Sequence, residues 1–151
     1  MEILNDTNSS IFKETIEKQK IYINNRRKSI TNRILETNIK FQGNTKEEIA
    51  SFLNLGIAQN LVHQFFIFKE KNCIICKKDK SQVRQLERAH CNLYSRYDLL
   101  MKALDNIYVD IDTPINSVDI LNEFIKCHNY CPIYYLCSSC HINYDRINID
   151  T

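Results

Sequence analysis

Cys73-Ile74-Ile75-Cys76 and Cys137-Ser138-Ser139-Cys140 are the stretches that decide how this chain is read. A Cys-x-x-Cys pair in a tight turn points two sulfurs at one point in space. Two such pairs complete the tetrahedral four-sulfur shell that structural zinc prefers. One pair alone is ambiguous between a metal site, a redox dithiol and ordinary buried thiols; two pairs favour zinc. Sixty residues separate the pairs, so the chain between them must leave and return. Closing such a loop costs entropy, whereas structural zinc contributes an apparent stabilisation of about 10–16 kcal/mol in small peptides. Lys77, Lys78 and Lys80 stand beside the first pair, where they would offset thiolate charge.

The rest of the composition agrees with a metal rather than disulfides. All seven cysteines fall at or after Cys73, and an odd number cannot be fully paired within one chain. Residues Met1 to Asn8 have no basic start and no apolar h-region, and no apolar run approaches the roughly 18–20 residues of a membrane span. The expectation is a protein of a reducing compartment, cytoplasmic or nuclear, neither secreted nor membrane-bound. At 151 residues the chain has room for one domain, or a small domain with a helical appendage. Two glycines and two prolines exclude collagen-like, linker-like and turn-rich sandwich compositions. The net charge of +2 permits a polyanionic partner without demanding one.

Working outward, residues 1–70 read as a helical region and residues 71–151 as the cysteine-bearing domain. Ile11, Phe12, Thr15 and Ile16 recur at helical spacing, as do Ile30, Ile34, Leu35 and Ile39. Thr45 with Glu48 forms the signature of a capping box. The helix it opens runs through Leu53, then a turn at Leu55-Gly56, then a second helix from Ile57 to Phe68. Helix-turn-helix is one reading of this segment. An αα-hairpin with Ile49, Phe52, Leu53, Leu61, Val62, Phe65 and Phe66 in its core is the plainer one. The basic cluster Arg26-Arg27-Lys28 is either a solvated helix face or a phosphate contact. After Cys76 the pattern predicts a strand over 82–91 and helices over 93–104 and 118–125, the latter capped by Asn116 or Ser117. It further predicts a β-rich run over 131–137 and a final helix capped by Ser138.

His90 ends the predicted strand, and His141 follows the second cysteine pair with Asp145 one turn later. If zinc joins the two turns, it also draws the strand end towards the helix start. His90, Arg88, His141 and Asp145 are then expected to converge. Phosphodiester hydrolysis can use such a set: a base for water, a cation for phosphate and a divalent metal for the leaving oxygen. Taken singly, each histidine is more ordinary as a structural group, and Arg88 as half of an ion pair. Cys91, Cys127, His128 and Cys131 offer either part of a second zinc site or buried free thiols.

In order and local spacing, Cys-x-x-Cys, then Leu86-Glu87-Arg88-Ala89-His90, then Leu136-Cys137-Ser138-Ser139-Cys140-His141 with Asn143, Tyr144 and Asp145 resembles the HNH endonucleases. The resemblance covers Cys73 to Ile149. It implies an α+β fold, a zinc-stapled ββα-metal domain preceded by the helical region, and metal-dependent endonucleolytic cleavage of DNA, of a site-specific restriction type. By position, His90 resembles the general base, and His141 the ligand of a catalytic Mg²⁺ or Mn²⁺ with Asp145 beside it. Glu87-Arg88-Ala89-His90 is similar to the Asp-Arg-Gly-His stretch of related non-specific nucleases. That similarity implies a phosphate contact for Arg88 and a metal-side role for Glu87. Cys73, Cys76, Cys137 and Cys140 would hold structural zinc, and cutting both strands implies a homodimer. Two departures stand out. Ala89 occupies a position where many of the family carry a metal-ligating Asp or His, and the family's middle Asn is replaced by the Cys131-Pro132 neighbourhood, leaving His128 or Asn129 to orient His90. These departures point to the rival reading, a non-catalytic zinc module that binds nucleic acid or protein.

Overall fold

The computed structural model describes residues 4, 7–21, 38–65, 72–79, 86–91, 93–129 and 131–149. Arg26, Arg27, Lys28, Phe66, Lys80 and the first part of the strand expected over 82–91 lie outside the described residues. In chain order the elements are α1 (residues 10–21), β1 (Lys40–Phe41), α2 (Lys46–Asn54), α3 (Ile57–Phe65), β2 (Leu86–His90), α4 (Arg96–Ile107), β3 (Ile115–Asn116), α5 (Ser117–Cys127), β4 (Ile133–Cys137) and α6 (Ser138–Ile149). The class is α+β, with two small two-stranded antiparallel sheets.

These elements gather into two units, each assembled from separated stretches of chain rather than divided at residue 70. One unit draws on residues 1–19, 68–93 and 131–151, the other on 20–67 and 94–130. The sixty-residue excursion between the cysteine pairs is thereby explained. Its middle, residues 94–130, belongs to the helical unit, and the chain then returns to complete the other.

In the helical unit, local chemistry starts the helices and apolar burial holds them. Thr45 Oγ1 accepts from the Glu48 N–H at 3.2 Å, and Glu48 Oε1 accepts from the Thr45 N–H at 3.1 Å. This is the capping box expected from the sequence, and its bonds hold the Glu48 carboxyl below the usual range. Ser95 and Asp98 make a second box at the start of α4. Helix α4 packs on α2 and α5. Ile49, Leu53, Leu99, Leu100, Leu104, Ile120, Leu121 and Phe124 are all at most 1% exposed, and each such side chain stabilises the fold by about 1.5–3 kcal/mol relative to exposure. With Ile49, Leu53, Ala58 and Leu61 buried, α2 and α3 carry the core of an αα-hairpin. Phe52, expected in that core, is instead 45% exposed, its ring edge-on to Phe41. Of the two residues expected as alternatives for the cap, Asn116 takes the position and Ser117 is spent elsewhere. Its N–H donates to Ile39 O and its Oγ accepts from the Ile39 N–H, both at 2.7 Å, while Asn116 caps without a side-chain bond.

The other unit buries Leu4, Phe12, Ile16, Ile133, Leu136 and Tyr144 together with its cysteines. Strands β2 and β4 pair antiparallel, with Leu86 opposite Cys137, Arg88 opposite Tyr135, Ala89 opposite Tyr134 and His90 opposite Ile133. Every residue of β4 is buried. Strand β4 runs without a loop into α6, giving strand, strand, helix in that order. Tyr144 of α6 is buried and meets Tyr134 edge to face at 6.3 Å between ring centroids. Alternation along the strands then places Glu87, Ala89 and Tyr134 on the face towards α6, and Arg88, His90, Ile133 and Tyr135 on the other. On α1, Phe12, Ile16 and Gln19 form the buried stripe. Gln19 Oε1 accepts from the Ile133 N–H at 2.8 Å, so this helix is tied directly to β4. No helix among the described residues is long and apolar enough to cross a membrane.

Thr45→Ala is expected to lower unfolding free energy by about 1 kcal/mol, with Thr45→Ser close to neutral, as read by denaturant unfolding of the zinc-loaded protein. Because the Glu48 carboxyl is held low, its share of this stability is present above the ordinary glutamate range. That share is lost as pH falls through Glu48's lowered value.

A four-cysteine metal centre and an adjoining polar cluster

The first cysteine pair is shaped by a tight backbone turn. Cys73 N–H donates to Lys78 O at 2.9 Å and Lys77 N–H to Cys73 O at 3.0 Å, and Asn72 pairs with Asp79 across the base. Lys77 adopts φ of 65°, the left-handed conformation that lets the chain reverse directly after the second sulfur. One rung, Ile74 N–H to Tyr135 O at 3.0 Å, fastens this turn to β4. The second pair needs no such turn. Cys137 is the last residue of β4 and Cys140 lies in the first turn of α6, where exposed N–H groups and the helix dipole favour negative sulfur.

The two turns bring Cys73, Cys76, Cys137 and Cys140 together, with all four sulfurs within 4.8 Å of one another. Cys76 Sγ and Cys137 Sγ are 3.8 Å apart. Zinc–sulfur bonds of about 2.3 Å give a tetrahedron with edges of about 3.8 Å, so the donor set and its spacing fit a zinc ion. Burial of Cys73 opposes ionisation, but N–H groups of Cys137, Cys76 and Ile75 bond its sulfur and bring the thiol down to about 7. Cys140 is pushed in the opposite direction, by burial first and then by the neighbouring sulfurs of Cys137 and Cys73. Lys77 and Lys78 are exposed beside the cluster.

The remaining cysteines do not make a second such group. Among the described residues, the Cys73–Cys140 set is the one group of His, Cys, Asp and Glu side chains arranged to hold a metal. Cys131 Sγ donates to Cys91 O at 3.3 Å. Burial raises the Cys127 thiol to about 11, with the Glu123 charge adding to it. His128 is fully buried, and its Nδ1 lies 2.9 Å from Phe124 O one turn earlier.

Next to the cysteine centre, β2 and α6 make a second polar cluster. His141 Nδ1 lies 2.8 Å from Glu87 Oε1, Ser138 Oγ donates to Glu87 Oε2 at 3.0 Å, and His141 Nε2 lies 3.5 Å from Asp145 Oδ2. Ser138 was expected as a helix cap. It is instead the first residue of α6, and its hydroxyl is spent on Glu87. Helix α6 has no continuous apolar stripe, with Ile142 53% exposed. It is therefore held by these polar contacts, by Tyr144 and by the cysteines at its start. The expected convergence of all the site residues is only partly realised. Glu87, His141 and Asp145 come together on the α6 side, whereas register assigns Arg88 and His90 to the opposite face of the hairpin.

At 2.8 Å, Glu87 Oε1 and His141 Nδ1 are at hydrogen-bond distance, so each occupies the other. Asp145 does not join them, because it meets the other ring nitrogen. Ala89, 2% exposed, offers no donor. Gln19, which sequence reading passed over, is the polar residue that joins α1 to β4; its position three residues beyond Ile16 on the Phe12–Ile16 stripe is the signal that marks it. No family model matches the chain, and no curated protein or solved structure does so.

The purified protein is expected to carry one zinc per chain, measured by elemental analysis, with Cys76→Ser lowering that content. Zinc uptake at pH 8 is expected to release fewer than four protons, because Cys73 is already largely ionised there, and affinity should rise with pH. Calorimetry in buffers of different ionisation enthalpy reads both; release of four protons would contradict the Cys73 assignment.

Proposed function

We propose that this chain is a metal-dependent DNA endonuclease of the HNH type, its hairpin and last helix forming a ββα-metal centre stapled by structural zinc. The observation that carries the reading is the crossing of β2 with the start of α6. It sets Glu87 and His141 2.8 Å apart beside the four-cysteine cluster, with His90 three residues along the same strand. His90 is the group that removes a proton from the attacking water, and Arg88, two residues before it, holds a non-bridging phosphate oxygen. Glu87 and His141 would hold Mg²⁺ or Mn²⁺. When bound there, such an ion supplies positive charge against the oxygen that leaves phosphorus. The reading requires the scissile phosphate to lie across the end of β2, reached by His90 from one face and by the Glu87–His141 pair from the other. Cleaving both strands takes two such centres, hence a homodimer on DNA.

A second reading, a zinc module that binds nucleic acid or protein without cutting, is favoured by the donorless, buried Ala89 at the position before His90.

The two separate in one assay. Zinc-loaded protein is incubated with supercoiled and linear DNA, with and without Mg²⁺ or Mn²⁺. The endonuclease is expected to cut only with the ion. His90→Ala should lower the rate by about 10²–10⁴-fold at unchanged zinc content, and Glu87→Gln should raise the ion concentration needed for half-maximal rate. A folded, zinc-loaded wild type that leaves DNA intact under every divalent ion tested leaves the binding module standing.

A further inference from the structure

A cavity of about 180 Å³ lies in the cysteine-bearing unit, away from the Glu87–His141 pair, between α1, the first cysteine turn and β4. Its walls include Thr15, Lys18 and Gln19 of α1, Asn72 and Lys77 of the turn, and Tyr135 of β4. Tyr135 pairs with Arg88 in the hairpin, and the neighbouring wall residue Ile133 pairs with His90. The cavity is thus built on the strand residues that stand opposite the proposed base and phosphate contact. No Asp or Glu lines it, and the one acidic group on its wall is the Cys73 sulfur of the metal centre. Lys18 and Lys77 are both exposed, and among the described residues neither ammonium has a carboxylate partner. Gln19 is already engaged by the Ile133 N–H and Cys131 O and so acts as a fixed wall. Lys77 sits at φ 65°, a conformation glycine takes without strain. The turn itself does not call for a lysine there, whereas an anion in the cavity would.

We infer that this cavity receives a backbone phosphate of the bound nucleic acid, one flanking the bond that is cut. Lys18 and Lys77 neutralise it from two sides, and the amide of Asn72 is a neutral donor on the wall; the Thr15 hydroxyl is spent on Ile11 O at 2.7 Å. For the identity of the polymer this rests on the nuclease reading. A cationic cavity of this size with no Asp or Glu also suits free inorganic phosphate. A plainer role for Lys77, offsetting the charge of the four thiolates, would act on zinc retention instead.

The test is binding of a short DNA duplex by the zinc-loaded full chain without added Mg²⁺ or Mn²⁺, from about 50 to about 200 mM salt, where each phosphate neutralised contributes about 0.9 to the slope of log K against log salt. Lys18→Gln with Lys77→Asn is the test variant, asparagine being tolerant of positive φ. The variant is expected to keep its zinc and to lose about 2 from the slope, with Lys18→Gln alone losing about 1. Lys13→Gln, on the same helix but outside the cavity, is expected to keep the slope. An unchanged slope in zinc-loaded variants overturns the inference, as does a wild type that does not bind the duplex. Loss of zinc from the double variant with an unchanged slope in Lys18→Gln assigns Lys77 to charge offset and also overturns it. Inorganic phosphate is titrated separately. Amide shifts at Lys18 and Gln19 with phosphate but not with the duplex would make the cavity a free-phosphate site. The slope loss persisting in a protein that never cuts DNA would keep the cavity and reject only the nuclease.

Discussion

Four sulfurs meeting within bonding distance of one point is the constraint on which the cysteine-bearing unit depends. A two-stranded hairpin by itself is marginal in water, and here α1, α6 and the cysteine turn are gathered around it. Joining Cys73 and Cys76 to Cys137 and Cys140 closes the chain across its long excursion and pins the turn, the end of β4 and the start of α6 at once. Everything else in the unit is placed relative to that knot. Gln19 brings α1 to β4, Tyr144 packs α6 on Tyr134, and Glu87 reaches the first turn of α6.

The helical unit solves the opposite problem. It has a continuous core of Leu, Ile and Phe from α2, α4 and α5, two capping boxes and, among its described residues, no group of three or more side chains arranged to hold a metal. Residues 94–130 can therefore be inserted between the paired strands without support from the zinc site. Loss of a metal from the four-cysteine site should cost the two units unequally, because among the described residues only one of them contains that site.

The polar cluster owes its geometry to a strand that passes directly into a helix. With no loop between Cys137 and Ser138, the first-turn side chains of α6 are carried over the neighbouring strand at Glu87. The hydroxyl of Ser138 and the imidazole of His141 then divide the two Glu87 oxygens between them. The same junction gives the hairpin two chemically different faces, one with the acid–histidine pair and one with Arg88, His90 and the cationic cavity.

Much of this was legible in the residues alone. The cysteine spacing names a four-sulfur site, Thr45 with Glu48 marks a helix start, and Ile49, Leu53 and Leu61 lie on a helical stripe, because each signal depends on neighbours close in sequence. The failures share one cause. Ser138 looks like a cap, and Ser117 like an alternative to Asn116 as one, but they are drawn to Glu87 and Ile39, partners 51 and 78 residues away. The division into units does not follow a boundary in the chain, because the strands that pair stand on either side of a helical insertion. Likewise, spacing brings His90 and His141 near one cysteine centre, but strand register decides which face each occupies, and a single-residue step along β2 separates Ala89 from His90. Local chemistry determined the four-cysteine set and the helices; long-range pairing decided which polar side chains meet, since a hydrogen bond's partner is chosen by the fold and not by the residue that offers it.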